Sequence, residues 1–342
     1  VRPPTASPTG AGGRRAAAPL SETARAFASL DLRVRRRLGG LLHGDEAGLR
    51  LGPGSEPEEV TRYRPGEDDV RRIDWNVTAR SAEPHVWRTV AEHERETWVL
   101  VDETASMDFG TTDLEKGDLA TWVTGALGLL SAGPGNRLGV AHLRPEGMTW
   151  TAPLPPRTAA MQALSRLPAS PAQAGSSTGR TPTDAALASS LDLAGALDAL
   201  DARHRRPGVR VVVTDFVEPD GRTERPFAWE RPLRRLAQRH EVLVVEVVDP
   251  RELTLPDVGP VALVDPETGH RCEVWTSSAR LRHEYAELAA AHRTAVAAAV
   301  RAAGAGHLVL RTDRDWVDDL ARHVVGRRTP QRAGRRAPGT VR

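Results

Sequence analysis

Residues 99–110, VLVDETASMDFG, end a run of strand-forming residues on Asp102 and then set hydroxyls at alternate positions, Thr104 and Ser106. A second carboxylate, Asp215, closes another nearly continuous apolar run, VRVVVTDF. Two carboxylates with neutral hydroxyls offer hard oxygens and little excess negative charge. Mg²⁺ asks for about six such oxygens in near-octahedral geometry and keeps some of them as water. An ion held this way stays electrophilic, so a Glu or Asp of another protein can replace a water. A third carboxylate would hold the ion more tightly and recruit a partner less well. The arrangement suits adhesion better than hydrolysis. Either aspartate alone could equally cap the turn or helix that follows it. The pair, with hydroxyls beside one member, favours a shared site. Asp108, two past Ser106, reads as a turn residue.

These residues need a frame. Between about residues 96 and 326, strand-like and helix-like segments alternate. TWVLVD, RLGVAHL, MTWTAPL, VRVVVTDF, EVLVVEVVD and HLVLRT read as strands, the second and third a hairpin's distance apart. DLATWVTGALGLLS, TAAMQALSRL, TDAALASSLDLAGALDAL, RPLRRLAQRH and DRDWVDDLARHVV have helical spacing. The longest helix, SSARLRHEYAELAAAHRTAVAAAVRAAG, carries Leu281, Tyr285, Leu288, His292 and Val296 on one stripe and stops at Gly304. Such alternation predicts an α/β fold: a mostly parallel sheet covered by helices on both faces. The unbroken apolar strands predict burial from both sides. In these sheets ligands bind at the carboxyl ends of the strands, at a topological switch point. Asp102 and Asp215 are both placed on that edge.

Composition sets the limits. With 342 residues, 39% of them hydrophobic, the chain can bury a large core. No apolar run approaches the roughly 18 residues needed to cross a bilayer. The Pro/Gly/Ala/Arg-rich start lacks an apolar signal segment, so the expected location is cytoplasmic. The single cysteine, Cys272, excludes an internal disulfide and a multi-Cys zinc site. Four regions follow: a disordered tail over 1–20, an upstream region with a basic helix over 21–95, the α/β domain over 96–326, and a basic disordered tail over 327–342. The upstream helix, SETARAFASLDLRVRRRLGGLL, is expected to close at Gly39 and Gly40.

The Asp102–Thr104–Ser106 spacing resembles the metal-ion-dependent adhesion site of von Willebrand factor A domains, usually Asp-x-Ser-x-Ser. That site is completed by a distant threonine and by an aspartate closing another strand. The resemblance assigns Thr183, in GRTPTDAAL, as the threonine, with Thr181 a competitor and helix capping the alternative for both. Asp215 matches the last aspartate, although Phe216 stands where the pattern commonly has glycine. Over most of the chain, YRPGEDDVRRIDWNVTARSAEPHVWRTVAEHE, DETASM and VVDPRELTLPDVGPVALVDPETG are similar to the bacterial DUF58 family. The resemblance implies a von Willebrand A-like doubly wound domain behind a small upstream region. It also implies Mg²⁺ or Mn²⁺ at the strand-end site, and action beside a MoxR-type AAA+ ATPase as adaptor or chaperone partner. Many members carry N-terminal transmembrane helices; this chain resembles the subset without them.

The block YRPGEDDVRRIDWNVTAR interleaves Arg64, Arg71, Arg72 and Arg80 with acids, including Asp74, and places Trp75 nearby and Trp87 beyond. It reads either as a mutually paired, solvated surface or as a partner-binding surface, since Arg and Trp are enriched at interface hot spots. Rival functions fit less well. A nucleotide-binding P-loop needs Gly-Lys-Ser/Thr, and the only lysine, Lys116, lies in LEKGDL. An Asp-x-Asp phosphatase would need a carboxylate at Thr104. Ser177 sits in a Gly-x-Ser-x-Gly match, GSSTG, but the loop-like LPASPAQA precedes it where a hydrolase needs a strand. HEYAELAAAH lacks the His-Glu-x-x-His spacing of a zinc helix. Basic tails could touch nucleic-acid phosphates, yet the net charge is only +2. The expectation is therefore a non-catalytic, metal-dependent protein-binding module.

Overall fold

The computed structural model describes residues 20–41, 59–63, 70, 73–81, 83–88, 96–133, 135–167, 192–218, 221–264 and 271–328. Helix α1 (Leu20–Leu41) comes first. An antiparallel ribbon follows, β1 (Glu59–Arg62) with β2 (His85–Arg88), and the one-turn helix α2 (Trp75–Thr78) lies between its strands. Next come β3 (Glu96–Asp102), a 3-10 turn (Ala105–Asp108), α3 (Lys116–Leu130), β4 (Arg137–Arg144), β5 (Gly147–Leu154) and α4 (Pro156–Leu164). The chain continues with α5 (Leu193–Arg203), β6 (Val209–Thr214), α6 (Glu230–Arg239), β7 (Glu241–Val248) and α7 (Pro250–Leu253). A small antiparallel pair, β8 (Pro260–Val264) and β9 (Arg271–Trp275), precedes α8 (Ala279–Ala303), β10 (Gly306–Arg311) and α9 (Trp316–Arg328).

The central sheet has the order β10-β7-β6-β3-β4-β5. Every neighbouring pair is parallel except β4 with β5, the hairpin at one edge. The chain enters at β3, winds outward through β4 and β5, then crosses back to β6 and winds outward the other way. The reversal falls between β3 and β6, which is the switch point where ligands are expected. This is a doubly wound α/β arrangement, with helices on both faces.

Strand periodicity divides the core. Val99 and Val101 of β3, Val211 and Val213 of β6, and Val245 and Val247 of β7 join one cluster, covered by α1, α3, α4 and α9. Trp98 and Leu100, with Val212, Val242 and Val244, join the other, covered by α5, α6 and α8. Because both faces are covered, these strands read as unbroken apolar runs instead of alternating ones.

The upstream helix is part of this core. Leu30 and Val34 of α1 are buried among α3, α4 and α9 residues. Arg33 and Arg37 reach Asp315, just ahead of α9, at 3.1 and 2.8 Å. Those ion pairs are exposed and contribute little; the apolar contacts fix the helix. Leu30→Ala is expected to cost about 3 kcal/mol and to lower the midpoint of a single denaturant transition. An unchanged midpoint would mean that α1 adds nothing to the domain.

Three expectations are corrected or extended. Helix α1 runs through Gly39 and Gly40 to Leu41, because propensity is a weak prior once the preceding turns are packed. Leu288 is 69% exposed, outside the stripe that includes it. The buried residues of α8 all lie in its C-terminal half, at Val296, Ala299, Val300 and Ala303, where the sheet is available to pack on. The Gly/Pro-punctuated upstream region, which shows little periodicity, holds the β1–β2 ribbon. Gly304 ends α8 at φ 83°, a left-handed conformation that suits glycine. No helix among the described residues is long and apolar enough to cross a membrane.

Candidate functional site

Strands β3 and β6 pair with Val101 opposite Val213, so Asp102 and Thr214 end the pair side by side. Thr214 donates its hydroxyl to Asp102 Oδ2 at 2.7 Å. Asp102 Oδ1 accepts from Thr104 N at 3.0 Å and from Thr104 Oγ1 at 2.6 Å. The 3-10 turn then brings Ser106 Oγ to 3.2 Å from Thr104 Oγ1. Asp102 is 5% exposed and Ser106 is buried. The side-chain partners of Asp102 are neutral hydroxyls. Burial, reinforced by the charge of Asp215, pushes its carboxyl pKa up to about 6.

Asp215 is engaged differently. Its Oδ1 accepts from Val217 N at 2.9 Å and its Oδ2 from Lys116 Nζ at 2.7 Å. Between them Phe216 adopts φ 60°, a left-handed conformation that ordinarily favours glycine. That backbone costs about 1–2 kcal/mol for a residue with a Cβ. Packing of the buried Phe216 ring against Trp229, with centroids 4.6 Å apart, offsets it.

Lys116, the first residue of α3, is 1% exposed. Its ammonium also pairs with Glu252 Oε1. Burial opposes the charge of Lys116, but the two carboxylates outweigh that and hold its pKa above the ordinary lysine value. Burial, together with Asp215, keeps the Glu252 carboxyl above its usual range despite the lysine. Glu252 Oε2 accepts from Asp249 N at 2.9 Å, the reciprocal half of a capping box on α7. Asp249 closes β7 and is fully buried. It accepts from Thr111 N at 2.9 Å, Thr111 Oγ1 at 2.6 Å, Arg251 N at 2.9 Å and Thr312 Oγ1 at 3.0 Å. One connected network therefore ties the ends of β6, β7 and β10 to the start of α3. The loop ahead of α3 folds back tightly, with Lys116 N on Phe109 O at 2.9 Å. A Cβ on Gly110 would stand 2.6 Å from Glu115 Cα, so glycine is required there.

The donor set fits a hard divalent ion. Octahedral Mg²⁺ with arms of about 2.1 Å places neighbouring oxygens about 3 Å apart, close to the 3.2 Å between Thr104 Oγ1 and Ser106 Oγ. Asp102 supplies a buried carboxylate whose side-chain partners are the hydroxyls of Thr104 and Thr214. Asp215 fits less directly, since one of its oxygens is already paired with the buried Lys116 ammonium.

On the other side of Asp102, Glu103 accepts from His142 Nδ1 and Arg144 Nε, each at 2.7 Å, and from Arg166 Nη1 at 3.2 Å. Burial would raise the Glu103 pKa, but these donors win and hold it at about 2. Arg144 and Arg166 thus form a partly exposed cationic flank at the same sheet edge.

Thr183, Thr181 and Ser177 lie outside the described residues, as do Arg64, Arg71 and Arg72. Asp108 closes the 3-10 turn and is exposed. Asp74 caps α2, accepting from Asn76 N at 2.8 Å and Val77 N at 3.2 Å. Beside it, Trp75 is 71% exposed and Arg80 is exposed. Sequence reasoning missed Lys116, Asp249 and Glu252 as parts of the site. The signals were present: Asp249 ends an apolar strand as Asp102 does, and Asp-Pro-Arg-Glu is a capping-box spelling.

At the opposite end of the sheet, His240 is buried with no ring-nitrogen hydrogen bond. Burial, then Arg210, pushes its pKa down to about 4. The unfolded chain binds this proton near pH 6.5 and the folded chain near 4, so this stabilisation is lost as pH falls through that window. Full loss is worth about 2–3 kcal/mol. Asp102, with its raised pKa, acts in the opposite direction between about 6 and 4. The expected result is therefore read in unfolding free energies of wild type against His240→Leu, in EDTA. Wild type should lose about that amount relative to the variant on going from pH 7 to 4. A pH-independent difference would contradict a buried neutral imidazole.

The family described as "Protein of unknown function DUF58" matches residues 59–295. The uncharacterized protein Rv1480 of Mycobacterium tuberculosis (strain ATCC 25618 / H37Rv) is 44% identical over 317 residues, covering 91% of this chain and 92% of that one. The uncharacterized protein MAV169 of Mycobacterium avium is 49% identical over 144 residues, covering 42% of this chain and 80% of its own. Among solved structures, conserved hypothetical protein BatB from Bacteroides thetaiotaomicron is similar at 13% identity and TM-score 0.38, covering 68% of this chain and 97% of that chain. The VWA domain of SpRpn10 is similar at 11% identity and TM-score 0.34, covering 67% and 95%. Asp102, Lys116, Asp215, Asp249 and Glu252 all fall inside the matched span, and by that match and the mycobacterial relative the chain belongs to the DUF58 family.

Proposed function

We propose that this protein is a non-catalytic interaction module whose docking point is a divalent ion, Mg²⁺ or Mn²⁺, held at the β3–β6 switch point. The observation that carries the reading is the Asp102–Thr104–Ser106 cluster: a buried carboxylate contacted by neutral hydroxyls, with two hydroxyl oxygens at coordination spacing. When bound, the ion would supply an open coordination position for a partner's carboxylate. Asp102 and the two hydroxyls would hold it, and Thr214 orients Asp102. Arg144 and Arg166 attract acidic residues flanking that carboxylate, which favours the correct partner and speeds encounter. The absence of catalysis rests on Thr104 where a phosphatase would need an acid, and on a lone lysine that lacks the Gly-Lys-Ser/Thr context and is tied into ion pairs with Asp215 and Glu252.

The partner we propose is a MoxR-type AAA+ ATPase, as the family resemblance implies, with the block containing Asp74, Trp75 and Arg80 as a second contact. Exposed Trp75 is the type of residue that anchors interfaces. The test is co-purification with the ATPase for wild type, Asp102→Ala and Arg72→Glu, with and without EDTA. EDTA and Asp102→Ala should each abolish capture. Capture that survives both would rule out the ion as docking point. Loss in Arg72→Glu alone would move the interface to the upstream block.

A further inference from the structure

Lys116 stands in an expensive position. It is the only lysine of the chain, is 1% exposed, and opens helix α3, where the positive end of the helix dipole disfavours a cation. Burying an ion pair rarely stabilises a fold more than apolar packing of the same volume. The ammonium is nevertheless held on both sides, by Asp215 at 2.7 Å and by Glu252. The two strand-end aspartates are thereby made unequal. Asp215 has an internal cation on one oxygen, whereas the side-chain donors to Asp102 are neutral hydroxyls.

We propose that Lys116 is an intramolecular cation that competes with the divalent ion for Asp215 and keeps ion binding weak and exchangeable. The proposal rests on the metal-site reading above. With the ammonium in place, Asp215 meets an arriving ion already partly neutralised, and the ammonium repels the ion. Asp102, Thr104 and Ser106 are left as the principal donors. Glu252 is the counterweight: it shares the ammonium and draws part of its charge away from Asp215. An ion held by few donors retains more of its own demand for oxygen, which suits recruitment of an outside carboxylate.

The two arms of the network make opposite predictions, which separates this role from simple structural support. Lys116→Met keeps the length and removes the charge. Mn²⁺ affinity, read by calorimetric titration at fixed pH and by the free-Mn²⁺ spin-resonance signal, should then rise about tenfold or more. Glu252→Gln leaves the ammonium to Asp215 alone and removes one nearby negative charge, so Mn²⁺ affinity should fall severalfold. If Lys116→Met is unfolded in EDTA, addition of Mn²⁺ should refold it, and Glu252→Gln supplies the second sign. Damage to a merely structural network would weaken binding in both variants and would overturn the proposal. Unchanged affinity in both would do the same, with the metal site left standing. Absence of Mn²⁺ binding in wild type as well as Lys116→Met would remove the metal site and the proposal together.

Discussion

Asp102→Asn is expected to make the ion-free protein more stable while removing its ability to bind Mg²⁺ or Mn²⁺. The folded state holds the Asp102 carboxyl at about 6, against about 3.9 for an exposed aspartate. At pH 7.5 the ionised group is therefore disfavoured by folding, by up to about 3 kcal/mol. The amide is nearly isosteric, keeps an acceptor for Thr104 and carries no charge to bury beside Asp215. A gain of about 1–2 kcal/mol is expected in denaturant unfolding with EDTA, after allowing for a poorer match to Thr214. With Mn²⁺ present the order should invert, because wild type alone gains binding free energy. Affinity of the variant should drop more than about 100-fold, since even residues that only orient metal ligands cost 10–100-fold when changed. A variant less stable than wild type in EDTA would show that the carboxylate is a satisfied structural group.

The second large effect lies at Asp249. Its carboxylate accepts four hydrogen bonds, from Thr111, Arg251 and Thr312, in a fully buried position. Asp249→Ala would leave several buried donors without an acceptor, at about 1–3 kcal/mol each where no water replaces it. A total near 4 kcal/mol is expected, which in a domain of this size lowers Tm by roughly 10 °C. The same change frees Thr111 and the loop before Lys116, so protection from hydrogen exchange should fall across residues 109–116. A Tm within about 2 °C of wild type would mean that solvent satisfies these donors and that the network is not cooperative.

The strands and their order of burial were legible because each core strand is apolar on both faces, as in residues 98–101 and 211–213. The strand-end position of Asp102 and Asp215 followed from that alone. Contacts that depend on tertiary folding were not legible. Nothing local to LEKGDL announces that its lysine reaches Asp215, 99 residues away, or Glu252, 136 residues away. Leu288 failed because helical spacing identifies a stripe but not how far along the helix the sheet extends. The β1–β2 ribbon was missed because two four-residue strands carry too little periodicity to stand out from turns. Phe216 shows the converse: its departure from glycine was visible, and the structure accommodates it in a left-handed turn by burying the ring.

The most direct measurement is a crystal structure of the full chain grown with Mn²⁺, with anomalous scattering used to locate the metal. One strong peak is expected at the carboxyl end of β3, in contact with oxygens of Asp102, Thr104 and Ser106 and with at least one water. Asp215 should still be paired with Lys116. A structure with those oxygens hydrogen-bonded only to one another at saturating Mn²⁺, or with the peak at another site, would contradict a metal-dependent docking point at the β3–β6 switch.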